Sequence, residues 1–154
     1  MNIRKLCLSL LVIIAVIGVM PASAQNVIRW RCTASMTSKT EGEIVVRAII
    51  DKGWHLYGMQ LPKGGPRPTV IDFSESTGIK FTGPFAANIK PTVKFDPIFA
   101  AKLNFWDKNV SFTRKFKLTG DKKDAVIKGT VTYMCCDDET CMPPKTENFK
   151  FNLK

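Results

Sequence analysis

Residues 110–118 read Val110-Ser111-Phe112-Thr113-Arg114-Lys115-Phe116-Lys117-Leu118 and alternate between apolar and polar side chains. The apolar side chains fall at every second position, and only Arg114 interrupts their face. A period of two places successive side chains on opposite faces of a β-strand. The stretch therefore predicts a strand that buries one face and exposes the other.

The same alternation recurs along most of the chain. It is clear in residues 28–34, 44–50, 127–133 and 149–153, and weaker in 54–59, 69–73 and 79–82. Short strands with no helix longer than one turn predict an all-β fold, an antiparallel immunoglobulin-like β-sandwich. A closed barrel is the alternative architecture. Residues 61–68 and 83–101 are rich in Pro and Gly, and we expect them to form long irregular loops.

The N-terminus has the features of a secretory signal peptide. Residues 1–24 contain a charged start, an apolar stretch at 6–20 and a small-residue cleavage site, Ala22-Ser23-Ala24. The apolar stretch is shorter than the ~20 residues that span a bilayer. The chain has 154 residues, the size of one domain. We therefore expect a cleaved signal peptide and a single exported, periplasmic domain, residues 25–154, that does not span the membrane.

The composition narrows the function classes. Lys plus Arg is 23 and Asp plus Glu is 13, which gives a formal net charge of +10. The positive side chains are spread along the predicted strands, so they indicate a solvated face, and we expect no nucleic-acid partner. The chain has one histidine, His55, which makes metal binding by histidines and His-dependent catalysis poor candidates. We expect neither a cofactor nor a resident metal.

The predicted domain has four cysteines, three of them close together. Cys32 stands alone, whereas Cys135, Cys136 and Cys141 lie within seven residues. In an oxidising compartment four cysteines allow three complete pairings, and spacing alone leaves them open. A ring closed by Cys136 and Cys141 would stabilise the fold by only about 2 kcal/mol, against about 4.7 kcal/mol for a 100-residue loop. Such a ring suits a redox couple better than a structural brace.

Strand parity and charge add two expectations for these thiols. If the strand through Tyr133 continues, Cys135 faces the core and Cys136 faces the other side or the turn, although a turn would still let Cys135 pair with Cys141. The acidic residues at 137–139 should raise the pKa of the neighbouring thiols. We therefore expect a disulfide that is attacked by a partner's thiolate. Pro143 helps to hold the exit from Cys141 extended.

Two segments resemble the N-terminal domain of the thiol:disulfide interchange protein DsbD. The first joins the strand Gly129-Thr130-Val131-Thr132-Tyr133-Met134 to Cys136-Asp137-Asp138-Glu139-Thr140-Cys141 and Met142-Pro143-Pro144-Lys145-Thr146-Glu147. The second, Gly53-Trp54-His55-Leu56-Tyr57, is similar to the family's Gly-aromatic-x-x-Tyr strand, which supplies aromatic side chains beside the cysteines. The resemblance implies the same immunoglobulin-like fold.

The resemblance also implies which residues act. Cys136 and Cys141 would cycle between disulfide and dithiol, with Cys135 as the alternative partner for Cys141. Supporting or shielding roles would fall to His55, Tyr57 and Pro143. A cap loop covers the cysteine pair in the family. It would lie within residues 83–95 here, with Phe85, Ile89 or Phe95 as the apolar lid.

The partners implied by the resemblance are proteins of the same redox chain. Electrons would arrive from a thioredoxin-like domain of a membrane-embedded donor. They would leave to exported thioredoxin-like clients, including disulfide isomerases and proteins of cytochrome c maturation, which makes the chain a relay component of the protein-disulfide reductase type. Family members continue into membrane helices and a thioredoxin domain, so we expect this chain to be a stand-alone version or one piece of a split system.

Two other functions fit the cysteines. An exported copper(I) or zinc module could use soft ligands, which here are Met134, Cys135, Cys136, Cys141 and Met142, with Cys32 or His55 completing a zinc site. A non-catalytic β-sandwich with structural disulfides is the other alternative.

Overall fold

The computed structural model describes residues 26–153, so the predicted signal peptide, residues 1–24, lies outside the described residues. Within this range the chain forms eleven strands and one 3-10 turn, Lys122–Asp124. The strands are β1 (Ile28–Met36), β2 (Glu41–Ile50), β3 (His55–Tyr57), β4 (Val70–Asp72), β5 (Ile79–Ala87), β6 (Thr92–Asp96), β7 (Ala101–Trp106), β8 (Val110–Leu118), β9 (Val126–Tyr133), β10 (Cys135–Cys136) and β11 (Lys145–Asn152). In this part of the chain no helix is long and apolar enough to cross a bilayer.

The strands form three antiparallel sheets. The first has the order β1-β2-β8-β5, the second β10-β3-β7-β6 and the third β11-β9-β4. Each sheet ends in edge strands, so the immunoglobulin-like sandwich is confirmed over the closed barrel. The second sheet carries the paired cysteines at one edge and β6 at the other.

Strand β8 shows why alternation predicts this fold. Val110, Phe112 and Phe116 are buried, as their spacing predicts. The guanidinium of Arg114, which breaks the apolar face, lies 4.4 Å from the centre of the Phe81 ring, and its Nε donates to the carbonyl of Gly83 at 2.7 Å. The cation thus packs on an aromatic face and keeps a hydrogen bond, so the interruption is accommodated.

The main core lies between the sheets and is continuous with the cysteine strand. Trp106 meets Phe112 edge-to-face at 5.1 Å, and Trp30 packs against Tyr133 at 5.3 Å. Cys135 belongs to this same cluster. The core therefore fixes the strand from which the disulfide projects.

The predicted irregular loop at residues 83–101 is a correction. Strand β5 continues to Ala87, β6 occupies Thr92–Asp96 and β7 begins at Ala101. Alternation is weak here because β5 shifts register between Thr82 and Ala86, and because the first four residues of the edge strand β6 are exposed. Residues 61–68, the other predicted loop, contain no strand.

Candidate functional site

The paired cysteines lie where a two-residue strand meets β3. Cys136 pairs in register with His55, and Cys135 pairs with Leu56. A disulfide joins Cys136 to Cys141, whose Cα atoms are 4.1 Å apart. The chain is folded back at this point, because the backbone N–H of Met142 donates to the carbonyl of Cys135 at 2.9 Å. The disulfide thus closes a tight turn at the edge of the second sheet.

Asp137 shapes the turn between the two sulfurs. Its Oδ1 accepts hydrogen bonds from the backbone N–H groups of Glu139 at 2.9 Å and Thr140 at 2.6 Å. Its own N–H donates to the carbonyl of Thr140. The two N–H donors hold the pKa of the Asp137 carboxyl below its usual range. An Asp side chain that binds the backbone two and three residues on is a common turn device, and here it brings Cys141 back to Cys136.

The adjacent cysteines face different surroundings, as strand parity predicts. Cys135 is 2% exposed and lies in the main core. Cys136 is fully buried in a second cluster with Tyr57 and Leu103. Cys135 and Cys32 are free thiols, and burial raises the pKa of Cys135 to about 11 and that of Cys32 to about 12. The predicted rise in thiol pKa is therefore present in Cys135, with burial rather than acidic neighbours as its cause.

Aromatic rings surround the disulfide on the side of the second cluster. Phe99 meets Tyr57 edge-to-face at 5.8 Å, and Phe99 and Phe105 pack against the cluster that holds Cys136. His55 lies between Tyr57 and Phe105, at 5.1 Å and 4.7 Å from their ring centres. The structure thus brings both predicted supporting residues of β3 to the disulfide. Pro143 is exposed two residues after Cys141.

The residues predicted as a lid lie elsewhere. Phe85 packs against Phe73 at 5.9 Å in the main core. Ile89 is at the surface, where its carbonyl accepts a hydrogen bond from the Trp106 indole. Phe95 is 57% exposed and lines a cavity beside His55. The aromatic contacts of the disulfide cluster come instead from Phe99 and Phe105, beyond the segment 83–95 in which the lid was expected.

One buried carboxylate lies at the heart of this arrangement. Asp96 is 5% exposed, and its Oδ2 accepts a hydrogen bond from the Tyr57 hydroxyl at 2.7 Å. Its Oδ1 accepts from the backbone N–H groups of Ile98 at 2.9 Å and Phe99 at 3.2 Å. Sequence reasoning missed Asp96 and Phe99. The Asp96-Pro97 dipeptide, which favours turn initiation, was the signal that could have found them.

The same carboxylate faces His55. The imidazole Nε2 is 4.0 Å from Asp96 Oδ2, is buried and has no hydrogen-bond partner among the described residues. Burial lowers the pKa of His55, and the opposing attraction of Asp96 only partly offsets it. Burial, followed by the hydrogen bond to Asp96, raises the pKa of Tyr57 above its usual value. Tyr57 is therefore a proton donor to a charged acceptor, and His55 is mainly neutral near pH 7.

A cavity of about 360 Å³ opens next to this group. Its lining includes His55, Lys94, Phe95, Asp96 and Asp138. Among residues 26–153, no group of three or more His, Cys, Asp or Glu side chains is placed to hold a metal ion. The chemistry on display is that of a disulfide in a tight turn, with one sulfur buried under aromatic rings and the other, in Cys141, partly exposed.

Comparison with known proteins places this geometry. The family described as "Thiol:disulfide interchange protein DsbD, N-terminal" matches residues 25–153. No curated protein matches the chain. The N-terminal periplasmic domain of ScsB from Proteus mirabilis has the same fold, with a TM-score of 0.59 at 18% identity over 82% of this chain. This chain spans 46% of that structure.

Two other solved structures are more distant. The N-terminal domain of DsbD from Neisseria meningitidis, in its reduced form, gives a TM-score of 0.49 at 17% identity, covering 79% of this chain and 83% of that one. The GAE domain of yeast GGA1 gives 0.46 at 9% identity, covering 82% of this chain and 91% of that one.

Proposed function

Because the chain belongs to the family of DsbD N-terminal domains, a family of thiol:disulfide interchange domains, we propose that it relays electrons in the periplasm through its Cys136–Cys141 disulfide. The observation that carries the proposal is the position of that disulfide. It closes a short turn at a sheet edge, with Cys141 partly exposed and Cys136 buried beneath aromatic side chains.

The size of the ring supports a redox role over a structural one. The two cysteines are five residues apart. Closing so short a loop removes little entropy from the unfolded chain and stabilises the fold by about 2 kcal/mol. The turn is also held by its own hydrogen bonds to Asp137, so the ring does not need the covalent bond to stay closed.

The exposure of the sulfurs sets the order of events. A partner thiolate attacks the sulfur of Cys141, and the electron pair of the broken S–S bond goes to Cys136. The second thiol of the partner then breaks the mixed disulfide. The chain is left with two thiols and the partner with a disulfide. The reverse sequence passes both electrons to the disulfide of a client. Cys141 is assigned as the attacked sulfur because Cys136 is fully buried.

The partners follow from the family. Thioredoxin-like redox domains are its general partners. We place the donor in a membrane-embedded protein with a thioredoxin-like domain, and the clients among exported thioredoxin-like proteins, including those of cytochrome c maturation. In this proposal Tyr57, Phe99 and Phe105 shield the disulfide from other thiols until a partner docks.

Transfer from a thioredoxin-like dithiol tests the proposal. Reduced thioredoxin is mixed with the oxidised chain in a Cys32→Ala background, and the thiols of both proteins are alkylated and counted by mass spectrometry at successive times. We expect one disulfide to pass between the proteins, mapped to Cys136 and Cys141, with none formed in the Cys136→Ala/Cys141→Ala control. No transfer to the folded chain would overturn the relay and leave the structural-disulfide alternative.

A further inference from the structure

The carboxylate of Asp96 joins two separate parts of the disulfide surroundings. On one side it accepts the hydroxyl of Tyr57, from β3. On the other it accepts the backbone N–H groups of Ile98 and Phe99, at the start of the turn between β6 and β7. A carboxylate buried to this degree needs such donors, because removing its charge from water is costly. The three hydrogen bonds therefore connect the turn to β3.

The turn held in this way carries an aromatic contact of the disulfide cluster. Phe99 packs edge-to-face on Tyr57, and both belong to the cluster that holds Cys136. The turn ends at Ala100, whose φ of 50° is uncommon for a residue with a β-carbon. Such a backbone conformation persists only where surrounding contacts maintain it. The closed turn is therefore a state that the Asp96 hydrogen bonds help to hold.

We propose that Asp96 is a positioning residue for the interchange reaction, whose hydrogen bond to Tyr57 holds the Phe99 turn closed and so limits access to the Cys136–Cys141 disulfide. The inference rests on the proposed function, since it concerns the rate at which that disulfide exchanges. Asp96 itself does not touch the sulfurs in this account. It acts through Tyr57 and Phe99, and breaking its bond to Tyr57 frees the turn without dismantling β3.

Two single substitutions remove the same hydrogen bond from its two ends. Tyr57→Phe removes the donor and keeps the ring. In Asp96→Asn the amide oxygen can still accept from the backbone of Ile98 and Phe99, while the amide nitrogen cannot accept from Tyr57. Asp107→Asn is the matched control, because Asp107 is an exposed aspartate that lines the same cavity.

The measurement is the rate at which a water-soluble trialkylphosphine reduces the folded chain. The phosphine attacks one sulfur, the other leaves as a thiolate, and water converts the phosphine to its oxide and frees the second thiol. We expect Asp96→Asn and Tyr57→Phe each to raise the rate by about tenfold. The double variant should match the faster single variant, because both changes remove one bond. Asp107→Asn should stay within about twofold of the wild type.

A general loss of stability would raise the rate for a different reason, and Cys135 detects it. Cys135 is buried in the main core, so its alkylation reports opening of the whole domain. The proposal predicts no change in the alkylation rate of Cys135 in either single variant. Parallel acceleration of Cys135, additive effects in the double variant, or rates equal to Asp107→Asn would each overturn it.

The outcome also separates this inference from the proposed function. If the wild-type disulfide is reduced only when the domain unfolds, the relay itself fails. If the folded wild type is reduced and reoxidised reversibly but the Asp96 and Tyr57 variants react at its rate, only the positioning role of Asp96 fails.

Discussion

Cys135 and Cys136 are adjacent in sequence but face separate apolar clusters. Cys135 packs in the main core, paired in register with Leu56, whereas Cys136 lies with Tyr57 and Leu103 and is paired with His55. Successive side chains of a strand point to opposite faces, so the third thiol is kept away from the disulfide by backbone geometry alone. A folded domain can therefore hold a free thiol next to a disulfide without exchange between them.

Cys135 should be nearly inert in the folded domain. Its pKa of about 11, raised from 9.0 by burial, reduces the thiolate fraction by about 100-fold near neutral pH, and burial blocks access as well. Alkylation followed by peptide mass spectrometry should show labelling at Cys135 at least about 100-fold slower in the native protein than in urea. Comparable rates in both states would mean that Cys135 is not sequestered.

Single-cysteine variants should differ sharply in their capture of a disulfide reagent. In a Cys32→Ala background, Cys136→Ala leaves the partly exposed Cys141, and Cys141→Ala leaves the buried Cys136. We expect Cys141 to form a mixed disulfide with an aromatic disulfide reagent at least about tenfold faster, because access limits thiol exchange. Faster capture by Cys136 would reverse the assigned order of attack.

The Asp137 turn should tune how readily the disulfide is reduced. Its two backbone hydrogen bonds bring the two cysteines together, so Asp137→Ala should loosen the ring and favour the dithiol. We expect the equilibrium constant for reduction by dithiothreitol to rise several-fold. Asp137→Asn keeps the acceptor oxygen and is the matched control. An unchanged equilibrium in Asp137→Ala would show that the turn does not depend on this side chain.

His55 should make the domain less stable in mild acid. Burial lowers its folded pKa below the 6.5 of the unfolded chain, so the unfolded state binds more protons as the pH falls. The free energy of unfolding therefore drops between about pH 7.5 and the lowered folded pKa. Urea titrations at about pH 8 and about pH 5.5 should show a larger loss for wild type than for His55→Phe, by several tenths of a kcal/mol or more. Equal losses would contradict a buried, neutral His55.

Gly129 should be required for close packing of β9. A Cβ at this position would meet the Asp72 carbonyl and the Phe73 ring, so Gly129→Ala forces backbone or core atoms apart. We expect a loss of about 2 kcal/mol in the free energy of unfolding. Gly120→Ala, where an added Cβ has open space, is the control and should be nearly neutral. A neutral Gly129→Ala would show that the third sheet is loosely packed.

Much of the fold and part of the site follow from local sequence pattern. Alternation predicts β8 because its buried face is continuous, and strand parity separates Cys135 from Cys136. The edge strand β6 was missed because its first four residues are exposed, which leaves no alternation to detect. Periodicity works only where one face of a strand is buried.

The missing part of the site is the group around Asp96. Tyr57 and Asp96 are 39 residues apart in sequence, and their hydrogen bond forms only when β3 and the β6–β7 turn are brought together. No local pattern encodes such a bond. Placing the lid within 83–95 failed for the same reason, since Phe99 lies on a turn that exists only because β6 and β7 pair.

A redox titration of the folded chain tests the central claim most directly. The protein is equilibrated in dithiothreitol buffers of graded potential, alkylated under native conditions, digested and mapped by mass spectrometry, with tryptophan fluorescence recorded to confirm that the domain stays folded. The account predicts one reversible two-electron transition, located at Cys136 and Cys141, with Cys135 unlabelled throughout. A disulfide that resists reduction until the fluorescence reports unfolding would contradict the account and make the Cys136–Cys141 bond a structural one.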